Sequence, residues 1–181
     1  MLGQRFASIL EAARRGEDSA WAEIYRDLAP SVLGYLRARG AREPEDLVGE
    51  VFIDLVRDLS RFQGGERDFR AWVFAVARNN HIDDVRKRGR RPVEPVAEEE
   101  LEATGPVGNA EEQALDAIAI GDVRQALARL TPDQREVLAL RVFGDLTVAE
   151  VARIVRKREG AVKALQRRAL AAILRELPPY P

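Results

Sequence analysis

The sequence predicts an all-α protein made of two small helical domains joined by a flexible acidic linker, the second domain ending in a helix-turn-helix. Three observations predict this class. Residues that favour helices, namely Ala, Leu, Arg and Glu, dominate the 181 positions. Sustained alternation of β-branched residues is absent from the sequence, and so are the Asn-Gly and Asp-Gly pairs of tight hairpins. Charge is segregated along the chain, which indicates two separate modules.

The composition excludes several classes of site. With no cysteine, the chain has no disulfide, thiolate metal site or cysteine nucleophile, and its single histidine, His81, cannot build a multi-histidine metal site. We expect His81 at a polar helix position, and we expect no cofactor and no small-molecule substrate. No stretch approaches the roughly 18 uncharged apolar residues of a membrane span. The first residues do not resemble a signal peptide, so we expect no direct membrane insertion and a cytoplasmic location.

The net charge of −1 conceals three blocks of opposite sign. Residues 78–91 hold six bases and two acids, residues 94–116 hold eight acids and no base, and residues 153–175 hold eight bases and one acid. Clustered bases are typical of surfaces that bind polyanions. The order of the blocks therefore predicts two polyanion-binding modules around an anionic connector.

The N-terminal part of the chain predicts two helices. The first covers residues 6–15. The second begins with Asp18 or Ser19 as its cap and runs to Gly40, and Pro30 can kink it. Its apolar and aromatic residues, expected in the core, are Trp21, Ile24, Tyr25, Leu28, Val32, Leu33 and Leu36.

A third helix is predicted from Pro44, a residue suited to the first helical turn, to about Arg61. Leu47, Val51, Leu55 and Leu59 form its apolar stripe. Asp46, Glu50, Asp54 and Asp58 repeat at the same interval on a neighbouring face, where they repel one another by a few tenths of a kcal/mol per pair. Such a stripe is either solvated or meets a basic partner protein.

A loop is predicted over residues 61–67 because of its paired glycines, and Asp68 is the expected cap of the helix that follows and ends near Gly89. The first half of this helix is aromatic and apolar, and its second half is polar and cationic. Aromatic rings beside amide and guanidinium groups are typical of sites that hold unstacked bases. For Trp72 and Phe74, a place in the core is the simpler expectation.

The C-terminal part begins with a linker over residues 92–113, rich in proline, glycine and glutamate, and a helix over residues 114–130. Thr131 and Gln134 form a capping box around Pro132 and start a helix that ends at Phe143-Gly144-Asp145.

The segment from Leu146 to Leu177 predicts two short helices joined by a tight turn. Thr147 and Glu150 form a capping box for the first. The second has an apolar face and, near its start, a cluster of polar and basic residues; the cluster comprises Lys163, Gln166, Arg167 and Arg168. A helix-turn-helix presents a reading helix to the major groove in this way. An ordinary helical hairpin with a solvated basic face is the alternative.

With both modules placed, the order of motifs over about residues 5–177 is similar to that of the extracytoplasmic-function (ECF) sigma factors, the two-domain bacterial initiation factors. Asp46-Leu47-Val48-Gly49-Glu50-Val51-Phe52 resembles the region 2 helix that binds the polymerase β′ clamp. Phe69 to Val73, Ala77 to Asn79 and Asp83 to Arg91 resemble the segment that melts and reads the minus-10 element. Leu130-Thr131-Pro132, Arg135-Glu136-Val137, Leu146-Thr147 and Gly160 to Lys163 resemble region 4, which reads the minus-35 element.

The resemblance implies a region 2 domain over residues 1–91, the linker over residues 92–113 and a region 4 domain over residues 114–181. It implies polymerase binding by Asp46, Glu50, Phe52 and Asp54. It implies minus-10 binding by Gln63, Arg67, Arg78, Asn79, Asn80, Asp83 and Arg86. It implies minus-35 binding by Arg158, Lys163, Ala164, Arg167 and Arg168.

The resemblance implies three partners: core RNA polymerase, contacted at its β′ clamp and β flap; promoter DNA; and an anti-sigma factor. It also implies that the chain is not an enzyme. The sequence departs from the family pattern at two places. Gly49 stands where glutamine is frequent, and Arg156 and Lys157 replace the usual glycine and apolar residue of the helix-turn-helix corner. Because an arginine with positive φ costs on the order of a kcal/mol, another turn geometry and a displaced helix register stay open.

Two other classes of function are compatible with parts of the sequence. In an autonomous helix-turn-helix regulator, residues 114–177 would bind DNA and residues 1–91 would dimerise or sense a signal. In a helical nuclease, Asp46, Glu50 and Asp83 would hold magnesium, although the sequence places no plausible base with them.

Overall fold

The computed structural model describes residues 2–89, 127 and 129–176 of the chain. In these residues it contains helices α1 to α7 and two single 3₁₀ turns. The helices are α1 (Phe6–Arg14), α2 (Asp18–Ala38), α3 (Pro44–Asp58), α4 (Glu66–Gly89), α5 (Pro132–Val142), α6 (Val148–Val155) and α7 (Glu159–Glu176). The 3₁₀ turns are Gly3–Arg5 and Leu59–Arg61. The described residues contain no strand, as the composition predicted.

Helices α1 to α4 form the first unit, defined here as residues 2–89. In it α2 and α3 pack against α4, and α1 packs against α2. The predicted helix positions are confirmed: Pro44 opens α3, Pro30 lies within α2 without ending it, and α4 ends at Gly89. The 3₁₀ turn Leu59–Arg61 follows α3 directly, so this helical segment ends at Arg61, as predicted.

Two predicted caps of the first unit are wrong in detail. Asp18 is already the first residue of α2, and the cap position belongs to Glu17, whose side chain makes no capping bond. Asp68 lies inside the first turn of α4 and accepts a hydrogen bond from the Gly65 N–H at 3.0 Å. A carboxylate in this place still satisfies a free N–H near the helix start.

Helices α5 to α7 form the second unit, defined as residues 129–176, and both predicted capping boxes are confirmed. The Thr131 Oγ1 accepts from the Gln134 N–H at 3.3 Å while the Gln134 side chain accepts from the Thr131 N–H at 3.0 Å. In the second box the Thr147 Oγ1 accepts from the Glu150 N–H at 3.3 Å, while the Glu150 side chain accepts from the Thr147 N–H at 2.6 Å. The predicted linker over residues 92–113 lies outside the described residues. So does the helix predicted over residues 114–130, apart from its last few positions.

The two turns of the second unit use unexpected residues. The left-handed conformation after α5 is taken by Asp145, with φ 50°, and not by Gly144. Gly144 is needed for close approach, because a Cβ there would lie 2.4 Å from the Leu140 carbonyl oxygen. At the helix-turn-helix corner Arg156 itself adopts the left-handed conformation, with φ 55° and ψ 44°. The corner therefore keeps the usual left-handed geometry of a helix end without the usual glycine.

The two units share one hydrophobic core. Helix α5 packs against α2 and α6 packs against α4, so Val137, Leu140 and Val151 lie in the same buried cluster as Val32 and Phe74. The Phe143 ring rests on Gly34, where a Cβ would lie 2.5 Å from it. None of the helices in the described ranges is both long enough and apolar enough to cross a membrane.

Candidate nucleic-acid interface

Helix α4 divides into a largely buried aromatic half and a polar half that is exposed only in part. Phe69 and Phe74 are buried in the core, and the Phe74 ring meets Tyr35 edge-on at 5.6 Å between centroids. Trp72 is only partly buried and stacks on Phe62 at 5.2 Å with an interplanar angle of 18°. The expectation of a core position thus holds for Phe74, whereas Trp72 keeps part of its surface open to solvent.

A polar cleft of about 520 Å³ lies between α3 and the second half of α4. Its lining contains two residues expected to bind polymerase, Glu50 and Asp54, and three expected to bind the minus-10 element, Asn80, Asp83 and Arg86. Ile53 and Lys87 complete the lining. Asn80 donates a hydrogen bond from Nδ2 to Asp54 at 3.0 Å, and Arg86 pairs with Asp83 at 3.3 Å. Asn79 is exposed nearby on α4.

A second cleft, of about 620 Å³, contains the exposed side of Trp72 and the loop residue Gln63. Its opposite side belongs to the second unit, through Glu150, Arg153 and Ile154 of α6. Bases that stacked on Trp72 would therefore have to enter between the two units.

Two predicted minus-10 residues, Arg67 and Arg78, lie beside carboxylates of the second unit. Arg67 binds Glu150 through two nitrogens, at 3.1 and 3.3 Å. Arg78 lies 3.6 Å from a Glu136 carboxylate oxygen, and only 24% of its side chain is exposed. In this arrangement both guanidinium groups lie beside a carboxylate of the second unit, although 53% of the Arg67 side chain stays exposed.

The carboxylate stripe of α3 is exposed at its N-terminal end. Asp46 and Glu50 lie at the surface, whereas Asp54 and Asp58 are partly buried and both pair with Arg57, at 2.8 and 3.2 Å. The sequence reasoning overlooked this base, which relieves part of the repulsion along the stripe.

Phe52 is buried, contrary to the expectation that it faces a partner. It is 8% exposed, and its ring packs on Tyr25 at 4.7 Å. It forms one side of an apolar groove of about 540 Å³ between α2 and α3, whose other lining includes Trp21, Ile53 and Val56. The sequence reasoning missed this groove, although Ile53 and Val56 fall off the apolar stripe of α3 and so signal an exposed apolar surface.

Helix α7 and Arg158, the residue before it, present a row of basic side chains at the end of the second unit, called the basic row of α7 below. Arg158, Lys163, Arg167 and Arg168 are exposed, and Ala164 is partly buried between them. Val162 and Ala169 are fully buried on the opposite face, as predicted. Tight helix pairs with an exposed cationic second helix are the arrangement that enters a major groove.

Glu150 combines a structural and an electrostatic role at the start of α6. Burial acts to raise the pKa of Glu150, but hydrogen bonds from Arg67 and Thr147 outweigh burial and lower it to about 2. The carboxylate is therefore ionised at neutral pH and both caps α6 and holds Arg67.

The described residues hold no cluster of histidine and acidic side chains suited to a metal ion. Asp46, Glu50 and Asp83, considered above as magnesium ligands, form no such cluster in the described part of the chain.

Comparison with known families gives two matches in chain order. The family described as Sigma-70 region 2 matches residues 24–91, and the family described as Sigma-70, region 4 matches residues 120–179. The first match covers α2 from residue 24 onward together with α3 and α4, and the second covers α5 to α7.

Relatives with similarity along nearly the whole chain include two ECF sigma factors. The ECF RNA polymerase sigma factor BldN of Streptomyces coelicolor is 35% identical over 176 residues, which are 96% of this chain and 66% of that protein. The ECF RNA polymerase sigma factor SigD of Mycobacterium tuberculosis is 30% identical over 186 residues, covering 98% of this chain and 86% of that protein.

Two solved structures share the fold. CnrH in complex with the cytosolic domain of CnrY gives a TM-score of 0.67 at 19% identity, covering 95% of this chain and 96% of that chain. The sigma factor RpoE in complex with the anti-sigma factor NepR from Bartonella quintana gives a TM-score of 0.67 at 22% identity, covering 86% and 94%.

Proposed function

The chain belongs to the family of ECF RNA polymerase sigma factors, and we propose from this premise how its surfaces divide promoter recognition. It is a transcription initiation factor that binds core RNA polymerase and directs it to promoters. The observation that carries this function is the match of region 2 and region 4, in this order, to the two helical units. We infer that the chain itself makes and breaks no bond and that the polymerase performs the chemistry.

The polymerase surface in this proposal is the exposed side of α3. Asp46 and Glu50 present carboxylates to solvent, Asp54 extends the row, and the apolar groove beside Phe52 adjoins it. A row of acids next to exposed apolar side chains suits a partner that is basic and partly apolar. The β′ clamp of the polymerase is the proposed occupant.

The minus-10 surface in this proposal is the polar cleft and the Trp72 cleft. Asn79, Asn80, Asp83 and Arg86 supply hydrogen-bonding groups along α4, and Gln63 lies at the edge of the Trp72 cleft. Stacking on a partly exposed ring and hydrogen bonds to base edges together hold single-stranded bases. Arg67 and Arg78 would join them once released from Glu150 and Glu136.

The minus-35 surface in this proposal is the basic row of α7. Arg158, Lys163, Arg167 and Arg168 would contact phosphates and base edges, with Ala164 allowing close approach. The second unit would also contact the β flap.

The proposed domains are residues 1–91 for region 2, residues 92–113 for the acidic linker and residues 114–181 for region 4. The first of these contains the first unit, and the last contains the second unit. We propose in addition that an anti-sigma factor holds the chain inactive; support comes from the similar fold of RpoE, which is bound by the anti-sigma factor NepR. The proposed location is the cytoplasm, where the polymerase works.

Charge reversal on α3 tests the polymerase surface. Asp46→Arg or Glu50→Arg places a base where the partner is expected to be basic, so pull-down of purified core polymerase by the full chain should fall at least tenfold. Both residues are exposed, so far-UV circular dichroism should remain that of the wild type.

Arg15→Glu is the matched control, because Arg15 is an exposed charge whose partner is Glu17, and both residues lie outside α3. It should bind polymerase as the wild type does. Wild-type capture of polymerase by both α3 variants would show that the carboxylate stripe is only solvated surface.

A further inference from the structure

Helix α1 and the 3₁₀ turn before it have no part in the surfaces proposed above. Both lie before residue 24, where the region 2 match begins. The helix packs against α2, and four of its residues are buried; these are Phe6, Ile9, Leu10 and Ala13. Helix α1 also reaches the short loop of residues 62–65, which joins the second 3₁₀ turn to α4 and is called the 62–65 loop below.

The first end of this loop is held by Arg14, the last residue of α1. The Arg14 Nη2 donates a hydrogen bond to the Phe62 carbonyl oxygen at 2.5 Å. Glu11, one turn earlier, pairs with the same guanidinium, and only 30% of the Arg14 side chain is exposed. Hydrogen bonds from a charged donor are the stronger kind. The bound carbonyl belongs to the residue directly before Gln63, which the proposed minus-10 surface includes.

The other end of the loop is held through Glu66, the first residue of α4. Its carboxylate accepts hydrogen bonds from the backbone N–H groups of Leu2 and Gly3, the latter at 3.1 Å. Leu2 is right-handed, with φ −74° and ψ −18°, whereas Gly3 has φ 60°. Successive N–H groups in a right-handed and then a left-handed residue form a concave site for an anion. The N-terminal turn therefore binds the Glu66 carboxylate in such a site.

Between these two ends the 62–65 loop is conformationally permissive. It contains Gly64 and Gly65, and Gly64 has φ 143°, a value that other residues rarely adopt. Gln63 is exposed at the edge of the Trp72 cleft. Because glycine has the largest backbone freedom to lose, the position of Gln63 depends on how firmly the ends of the loop are held.

Aromatic rings connect α1 to the stacking side of the same site. The Phe6 ring lies 5.5 Å from the Phe69 ring. Phe69 in turn lies 5.6 Å from Trp72 and 5.2 Å from Phe62, the ring that stacks on Trp72. Tilted and edge-on pairs of this kind favour particular ring orientations in addition to burying apolar surface. Helix α1 therefore holds the backbone of the loop and also supports the Trp72 ring through Phe69.

We propose that Arg14 and Glu66 are positioning residues of the minus-10 site. Through them, α1 and the N-terminal turn hold the 62–65 loop in the conformation in which Gln63 meets an unstacked base. The proposal rests on the proposed function, because it concerns the role given there to Gln63 and Trp72. A loop that is ordered before binding loses less conformational entropy when the base arrives, so the minus-10 contact is strengthened. Neither Arg14 nor Glu66 has to touch DNA for this effect.

Spin labelling of the free, full chain tests whether α1 holds the loop. The chain has no cysteine, so Gln63→Cys gives a single site for a nitroxide label in the 62–65 loop. The continuous-wave electron paramagnetic resonance spectrum should be that of a restricted label. Arg14→Gln and Glu66→Ala, each added to Gln63→Cys, should sharpen the spectrum, because each removes the contact at one end and frees loop motion on the nanosecond timescale.

Arg15→Gln is the matched control, because Arg15 follows Arg14 directly but is exposed and pairs with Glu17. Its spectrum should match that of Gln63→Cys alone. Arg14→Lys keeps a charged donor and should restore part of the restriction. A second label, placed at the exposed Ala171→Cys of the second unit, should not respond to any of these changes. Equal sharpening at both labels would show that the substitutions only loosen the fold, and it would overturn the proposal.

Promoter opening by the full chain with core polymerase tests the positioning role itself. The probes are duplexes that the wild-type complex selects from a randomised DNA library. On these duplexes Arg14→Gln and Glu66→Ala should slow strand opening, measured by permanganate reactivity of thymines, about tenfold, within the range for stacking of one base on an aromatic ring. Affinity for core polymerase should remain that of the wild type, because neither residue lies on α3. Arg15→Gln should open the duplexes as the wild type does.

The outcomes separate this proposal from the proposed function. Unchanged spectra for both Arg14→Gln and Glu66→Ala would show that α1 does not hold the loop. Sharpened spectra with wild-type opening rates would overturn the positioning role, and so would a parallel fall in opening rate and polymerase affinity. If the wild-type chain with core polymerase opened no duplex of the library, the proposed function would be refuted, whereas the label spectra would still decide whether α1 holds the loop.

Discussion

His81 is the one histidine of the chain, and it is buried on α4 with 4% of its surface exposed. Burial lowers its pKa to about 4, and the nearby charges of Arg39 and Arg88 act in the same direction. The expectation of a polar helix position was wrong in that the ring lies inside the protein. Its Nδ1 is buried there without a hydrogen-bond partner.

We expect this ring to make stability fall as the pH is lowered. The unfolded chain takes up a proton near pH 6.5, whereas the folded chain resists protonation until about pH 4. The unfolded state therefore binds more protons between these values, and the free energy of unfolding should fall by roughly 2 kcal/mol as pH drops from 6.5 to 4.5. Urea titrations of the full chain at pH 7, 6, 5 and 4.5 measure it.

The matched variant is His81→Leu, which fills a similar space and cannot titrate. The free energy of unfolding of this variant should fall much less than that of the wild type between pH 6.5 and 4.5. Glu150 does not interfere in this range, because its pKa is lowered to about 2 and its contribution is lost only as pH falls below about 4.5. Equal pH slopes for wild type and His81→Leu would place the decline elsewhere.

The residue scale is also where the sequence says least about contacts within the chain. Arg78 was assigned to the minus-10 element from the family resemblance, and in the structure it lies beside Glu136. A signal existed, because Glu136 adjoins four buried apolar residues on α5 and a carboxylate in such a run needs a partner. The sequence does not specify which of 29 bases supplies that partner, because long-range pairing depends on how the helices cross.

The helix-turn-helix corner shows what an element tolerates. Arg156 ends α6 in the left-handed conformation, and Lys157 donates from its backbone N–H to the Ala152 carbonyl at 3.0 Å. A side chain in this conformation costs about 1 kcal/mol or more, which glycine avoids. The hydrogen bond and the packing of α6 on α7 maintain the turn despite this cost.

Arg156→Gly should therefore stabilise the protein. We expect the free energy of unfolding to rise by about 0.5 to 1 kcal/mol, because glycine at a left-handed helix end relieves the strain. The control is Arg153→Gly, at an exposed position inside α6, which should lower the same free energy by about 1 kcal/mol. Thermal or urea unfolding followed by circular dichroism measures both, and a stability loss in Arg156→Gly would refute the strain.

Elements were predicted better than residues because their signals are local. Pro44, the Thr131 and Thr147 capping boxes and the end at Gly89 were all located from the sequence. The errors concern cap chemistry, where Asp68 acts from inside the helix, and turns, where Asp145 and not Gly144 has positive φ. Several residue types satisfy these positions, so the sequence alone does not decide between them.

At the scale of the whole molecule, two modules predicted from charge segregation share their larger hydrophobic cluster, and a smaller one lies within the second unit. The sequence predicted the modules because each has its own apolar periodicity. It did not predict their contact, since α5 is buried on almost every side and the sequence does not say which partner surrounds it. The contact decides which predicted DNA residues are accessible.

Salt dependence tests whether the exposed half of the DNA surface acts as proposed. In complexes of the full chain, core polymerase and a promoter, Arg167→Ala or Arg168→Ala should weaken binding and lower the slope of log affinity against log salt by about one unit. For each phosphate contact that a variant lacks, binding releases about one fewer counterion from the DNA. Filter binding between about 50 and 200 mM salt, values typical for such slopes, measures it.

The comparison variant for this experiment is Arg15→Ala, an exposed arginine of the first unit that pairs with Glu17. It should keep the wild-type slope. Wild-type slopes for both α7 variants would remove Arg167 and Arg168 from the DNA surface.

The packing of the Phe143 ring on Gly34 has a thermodynamic consequence. Parting the units transfers this ring and its apolar neighbours to water, and hydrating apolar surface increases heat capacity. When this chain binds polymerase and DNA starting from the arrangement with the two units in contact, two heat capacity changes add. Docking on the partners gives a negative change, and separation of the two units gives a positive one. Calorimetry of assembly would then show a weaker temperature dependence of the enthalpy than the docked area alone implies.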